Sequence, residues 1–291
     1  MAIILDVSFL RKLERFEIRQ YGIHRGGQIG HRRSPSRGTG LEFADHKEYS
    51  AGDDIRYIDW NAYAHLEELF VKVFEQEEAL PTYILLDRSA SMSIGSPSKI
   101  SFGSQLAAAL TYVALANQDH VRVFLFAGGL VGSSKVMRGK ARIYELCELL
   151  NAPAEGTTDI IAALEAFSAD SRLPGVAIII SDFLDPAGIL KGVRLLAGRK
   201  FAVIAIQVVA PEELHPDLSG DVEFQDIETL AKLRVALRKD TTERFKGFFE
   251  SHCESLRQEL LRYGARYIRL SVEQSLDEIL FTRLPKEGVL K

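Results

Sequence analysis

The chain has 291 residues, 46% of them hydrophobic and 26% charged, which suits a globular protein with one large domain and an appendage. Cys147 and Cys253 fall in helix-like stretches ("YELCELL", "ESHCESL") without metal-ligand spacing, which argues against a disulfide scaffold or a thiolate metal site and for reduced thiols. The longest apolar runs, "GVAIIIS" and "FAVIAIQVVA", are too short for a membrane span, and the first apolar patch meets Asp6 at once, unlike a signal peptide, so a cytoplasmic protein is expected.

In chain order, the first expected element is an amphipathic helix from about Val7 to Tyr21, followed by a Gly/Ser/Arg-rich loop. The net charge of −4 conceals an asymmetry. Phe9 to Gly38 is basic, with Arg25, Arg32, Arg33 and Arg37 in the loop, whereas Glu42 to Glu78 is strongly acidic. A basic arm raises nucleic-acid binding as one reading, but "HRRSPSRGTG" has no aromatic side chain on which a base could stack. The plainer reading is that the two segments neutralise one another or are solvated. Residues 42–78 mix short strands and turns, so residues 1–79 are expected to form an appended α+β segment. Within it, Gly52-Asp53-Asp54 suits a turn, Arg56 and Asp59 an ion pair, and Trp60 a packing anchor against the sheet that follows.

From Pro81 the pattern alternates. "TYILLD" (82–87) is a buried strand and 99–118 a helix; "HVRVFLF" is a strand ended by Gly128-Gly129. A weaker strand in "SSKVMRG" precedes a helix stopped near Pro153. "DIIAALEAFSAD" is helical, "GVAIIISDFL" a strand, residues 186–198 a helix from Pro186 to Gly198, and "FAVIAIQVV" a further strand. Next come a hairpin at the sheet edge (about 221–237, turning at Glu228-Thr229) and a long charged helix from Thr241 to about Tyr263. The strand "ARYIRLSV" and a helix N-capped by Ser275 with Glu278 close the chain. Continuous apolar strands alternating with helices predict a doubly wound, mostly parallel α/β sheet over residues 80–291.

Ligands of such sheets collect beyond the carboxyl ends of the strands, where strand order reverses. Asp87 ends one strand, and Asp87, Ser89 and Ser91 follow at alternate positions, from which side chains can converge on one point. Hydroxyls beside carboxylates suit a hard, oxygen-seeking cation, Mg²⁺ before Mn²⁺ or Ca²⁺. Further oxygens come from "EGTTD", with Thr157 and Thr158 before a helix, and from "IIISDFLD", with Asp182 at a strand end and Asp185 nearby. A serine nucleophile is the rival, but there is no Gly-x-Ser-x-Gly elbow. An aspartyl-phosphate enzyme built on Asp87 would want an acid where Ser89 stands.

The set "LLDRSASM", "GTTD" and "IIISDF" resembles the metal-ion-dependent adhesion site of von Willebrand factor A domains, over roughly Leu80 to Val209. The resemblance implies that Ser89 and Ser91 ligate the ion directly, Thr158 does so in the ligand-bound state, and Asp87 and Asp182 act mainly through water. Thr158 is preferred to Thr157 because the family's threonine is usually followed by Asp or Asn, here Asp159. Phe183 departs from the pattern, since many such domains have Gly there. The preceding "LEFADHKEYSAGDDIRYIDWNAYAHLEELFVKVFEQEEAL" resembles the bacterial domain-of-unknown-function 58 family. That resemblance implies a non-enzymatic adaptor or chaperone-like partner of MoxR-type AAA+ ATPases. A metal-dependent hydrolase and a nucleic-acid binder are the alternatives.

Overall fold

Neighbouring parallel strands need a crossover between them, and a helix that makes one covers a sheet face. The computed structural model is organised in this way. It describes residues 6–19, 42–50, 52–75, 81–151, 156–214, 220–225, 232–237 and 239–291. The chain divides into two compact units, Met1–Ile23 with Leu80–Lys291, and His24–Ala79.

The first helix, α1 (Val7–Leu13), belongs to the larger unit and buries Leu10 and Leu13 in its core. It stops well before Tyr21. The residues beyond it take extended partners instead, because Ile18 bridges Leu290 and the Glu17 and Arg19 amides donate to the Lys291 and Val289 carbonyls.

In the smaller unit β1 (Glu42–Glu48) pairs antiparallel with β2 (Phe70–Glu75), and α2 (Trp60–Leu66) lies between them in sequence. The three acids of "GDDIRYIDW" are structural. Asp53 accepts from the Ser50 amide and pairs with Lys47, and Asp54 caps the turn Ile55–Tyr57. Asp59 does not pair with Arg56, whose guanidinium reaches back to Asp54 within its own turn. Asp59 instead N-caps α2, accepting from Asn61 and Ala62, and its other oxygen faces His46 at 2.9 Å and Lys72 at 3.2 Å. The His46 contact leads the interactions that hold its carboxyl well below the usual range. Trp60 is 64% exposed and meets Tyr63 edge-on, so it is not the buried anchor expected.

The larger unit is built on a six-stranded sheet. In chain order its elements are β3 (Pro81–Asp87), α3 (Lys99–Ala116), β4 (His120–Phe126), β5 (Leu130–Ser133), α4 (Ile143–Leu150), α5 (Ile160–Asp170) and β6 (Val176–Ser181). They continue with α6 (Pro186–Gly198), β7 (Ala202–Val209), the short α7 (Pro211–Leu214), β8 (Gly220–Gln225), β9 (Lys232–Leu237), α8 (Lys239–Arg262) and β10 (Arg266–Ser271). The sheet order is β10-β7-β6-β3-β4-β5, parallel except for β5. This is the doubly wound, mostly parallel α/β architecture expected.

Alternation along β3 sorts its side chains. Ile84 and Leu86 enter a core with α3 and α1, while Tyr83 and Leu85 enter the opposite core with α5, α6 and α8. Helices α5 and α6 approach closely at Gly192, where an added Cβ would lie 2.2 Å from Leu164. Strands β8 and β9 do form a hairpin, but as a separate two-stranded sheet. The position beside β7 is taken by β10, and among the described residues β8 and β9 pair only with one another.

Candidate metal centre

The chain runs outward from β3 to β4 on one side and to β6, β7 and β10 on the other, so strand order reverses at β3. The crevice beyond the carboxyl ends of β3 and β6 is therefore where a ligand site is expected. Asp87 ends β3, Ser181 ends β6, and Asp182 directly follows it. Main-chain and side-chain bonds draw three loops together there. The Ala90 amide donates to the Gly156 carbonyl at 3.0 Å, joining the loop after β3 to the one that carries Thr158. Ser181 Oγ donates to Asp87 Oδ2 at 2.6 Å, joining the ends of β3 and β6 from which the other two loops leave.

Asp87, Ser89, Ser91 and Asp182 are all buried, and Thr158, half-buried, is the most open of the set. Asp87 Oδ1 accepts from the Ser89 amide at 2.8 Å. The hydroxyls of Ser89 and Ser91 stand 3.0 Å apart. Burial, and after it the charge of Asp182, pushes the Asp87 carboxyl up to about 7, against the weaker pull of its hydroxyl and amide donors. Among the described residues, no histidine is hydrogen-bonded to either serine.

The donor set fits a small hard cation. Adjacent ligands of an octahedral ion with bonds of about 2.1 Å lie about 3.0 Å apart, which is the separation the two hydroxyls already have. Two carboxylates stand behind them, and the hydroxyls themselves carry no charge. Among the described residues no three His, Cys, Asp or Glu side chains are grouped to hold a metal, so a softer, imidazole- or thiolate-bound ion has no comparable place.

Two neighbouring acids have other work. Asp159 N-caps α5, accepting from the Ala162 amide, and Asp185 N-caps α6, accepting from the Gly188 amide. Phe183 has φ 53°, a left-handed conformation that explains why glycine suits this position. The turn is held by the Phe183 amide on Ser181 Oγ and by Gln207 Nε2 donating to the Asp182 carbonyl at 2.8 Å. The Phe183 ring is buried in the core that contains Ile160 and Ile189. Beside this turn a cavity of about 240 Å³ opens between Leu184, Glu213 and an aromatic face of α8, where Phe245 and Phe248 are exposed.

Sequence reasoning missed two cations. Lys99, wholly buried, bridges Asp182 Oδ2 at 2.7 Å and Glu213 Oε1 at 2.5 Å. Burial opposes its charge, but the two carboxylates outweigh that and hold the ammonium above its usual range. A lysine at the first position of a helix stands against the helix dipole, and that misfit was the available signal. Arg88 leaves β3 on the opposite face and donates to Ser104 Oγ and to the Leu150 carbonyl at the end of α4. Its charge suits that helix C-terminus, and burial pushes its basicity down. The basic arm with Arg25, Arg32, Arg33 and Arg37 lies outside the described residues.

Among curated proteins, the chain is 26% identical over 262 residues to the uncharacterized protein Rv1480 of Mycobacterium tuberculosis, covering 87% of this chain and 82% of that one. It is 28% identical over 142 residues to the uncharacterized protein MAV169 of Mycobacterium avium, covering 48% and 83%. Similar solved structures include the conserved hypothetical protein BatB of Bacteroides thetaiotaomicron, at 17% identity and TM-score 0.44 over 72% of this chain and 98% of that one. The VWA domain of SpRpn10 matches at 11% identity and TM-score 0.41 over 72% and 96%. Residues 45–255, more than half of the chain, match the model described as "Protein of unknown function DUF58", and the chain belongs to that family.

Proposed function

We propose that this protein is a non-enzymatic interaction module that holds Mg²⁺, with Mn²⁺ or Ca²⁺ as substitutes, at Ser89, Ser91 and Thr158, with Asp87 and Asp182 acting through water. The observation that carries this reading is the pair of hydroxyls 3.0 Å apart at the strand-order reversal, backed by two buried carboxylates. Such an ion, incompletely neutralised by its hydroxyl donors, supplies a position that attracts a carboxylate from outside. Thr158, the least buried of the set, marks the side on which a partner's Asp or Glu would arrive. The exposed Phe245 and Phe248 beside the rim support a protein partner, because apolar side chains clustered at a polar rim favour such contacts. The family resemblance makes a MoxR-type AAA+ ATPase, or a client of one, the partner of this proposal. A cytoplasmic setting goes with it, and the two free cysteines are in keeping with that.

The test is capture of a co-expressed MoxR-type ATPase by the full chain, with Mg²⁺ or with EDTA, for the wild type and Ser89→Ala. Capture that depends on Mg²⁺ and is lost in Ser89→Ala is expected. Equal capture in all arms overturns the metal-bridged mechanism.

A further inference from the structure

An ammonium group taken wholly out of water must be compensated where it lies, and Lys99 has no exposed surface. Its compensation comes from acids on two distant elements, Asp182 after β6 and Glu213 in α7. Both are fixed independently of it. The other Glu213 oxygen accepts from the Ala210 amide at 2.8 Å, and the Asp182 main chain is pinned by Gln207. The ammonium engages only one oxygen of Asp182, while Oδ1 faces the Leu184 amide at 3.4 Å. It makes no hydrogen bond to Ser89 or Ser91.

We infer that Lys99 is a tethered counter-ion that sets which cation the rim accepts. The inference rests on the metal reading above and deepens it. With Oδ2 held by Lys99 and Oδ1 facing the Leu184 amide, Asp182 is kept from closing on an ion as a bidentate ligand and is left to act through water. Ca²⁺ takes six to eight oxygens and commonly uses both of a carboxylate, whereas Mg²⁺ takes six at short range and keeps several waters. A rim of hydroxyls whose acids act through water therefore selects the smaller ion, which keeps its waters. The fixed positive charge also weakens the attraction for any divalent ion, which leaves the partner's carboxylate a larger share of the total binding.

The experiment is calorimetric titration of the metal-stripped full chain with Mg²⁺, Mn²⁺ and Ca²⁺, for the wild type and Lys99→Met. Lys99→Met is expected to bind Ca²⁺ at least about tenfold more tightly than the wild type, with a smaller gain for Mg²⁺, so that the preference for Mg²⁺ narrows. If Lys99→Met does not fold, the double variant Lys99→Met/Glu213→Gln removes both halves of the pair and carries the same comparison. Wild-type binding with an unchanged Mg²⁺-to-Ca²⁺ ratio in the variant overturns the role of Lys99 and leaves the metal reading standing. A wild-type chain that takes up none of the three ions overturns both.

Discussion

Asp87 is the residue at which the chemistry of the rim and the stability of the fold meet, and Asp87→Asn separates them. The wild-type carboxyl is fully buried, and burial, with the Asp182 charge behind it, raises it from its ordinary 3.8 to about 7. Below pH 4 the group is protonated in both the folded and unfolded states and contributes nothing. Between pH 4 and 7 the unfolded chain ionises while the folded one stays protonated, so stability falls as pH rises. Above pH 7 the loss is complete, at about 4 kcal/mol without a bound cation. Asparagine keeps the acceptor for the Ser89 amide and turns its NH₂ towards Ser181 Oγ, at a cost of about 1 kcal/mol in hydrogen bonding. Urea unfolding in EDTA should thus show Asp87→Asn more stable than the wild type by about 3 kcal/mol at pH 8 and slightly less stable at pH 4. Adding Mg²⁺ at pH 8 should stabilise the wild type more than the variant. A stability difference that does not change between pH 4 and 8 would refute the buried, raised carboxyl on which this reasoning stands.

Ser91→Ala tests the ligand role with little effect on the fold, because the Ser91 hydroxyl has one side-chain partner, Ser89. Titration should show Mg²⁺ affinity lowered at least about tenfold, since even residues behind the ligands are worth that much, while unfolding free energy changes by about 1 kcal/mol. Unchanged affinity removes Ser91 from the ligand set. Phe183→Gly relieves a left-handed backbone worth about 1–2 kcal/mol but empties a buried aromatic site worth about 3–5 kcal/mol. Denaturation should show a net loss of about 2–3 kcal/mol, and a variant as stable as the wild type would mean that burial of the ring does not outweigh the left-handed backbone.

Local chemistry in the sequence marks local structure faithfully. Helix α6 runs from Pro186 to Gly198 as its terminal residues signal, and Ser275 Oγ accepts from the Glu278 amide as its spacing predicts. The expected elements that shifted were those decided by distant partners. Helix α1 ends early because Ile18 pairs with Leu290 at the far end of the chain, and beside β7 stands the last strand, β10, while the β8–β9 hairpin forms a sheet of its own. Arg56 turned to Asp54 because a side chain two residues away within one turn costs less order than a partner outside it. At the rim, Asp87, Ser89 and Ser91 were visible because they share one loop. Lys99 was not, because its partners lie 83 and 114 residues away.

The rim is organised by the protein's own bonds. Asp87 is held by the Ser89 amide and Ser181, Ala90 by Gly156, Arg88 by Ser104 and Leu150, and Asp182 by Lys99. A site assembled in this way need not spend binding energy on ordering its loops, which under the proposed function would leave that energy for the ion and its outer ligand. The cost is local and sits at the same place. Four described non-glycine residues have positive φ, and three of them, Glu67, Gln118 and Lys200, lie at or just beyond helix C-termini, where a left-handed residue is routine. Phe183 follows a strand, is buried, and directly succeeds a candidate ligand. A strained backbone and a carboxyl raised to about 7 within one buried rim are local conflicts that the rest of the fold must outweigh. Their concentration between β3 and β6, while the sheet around them obeys its pattern, is what the proposed binding role would ask of this crevice.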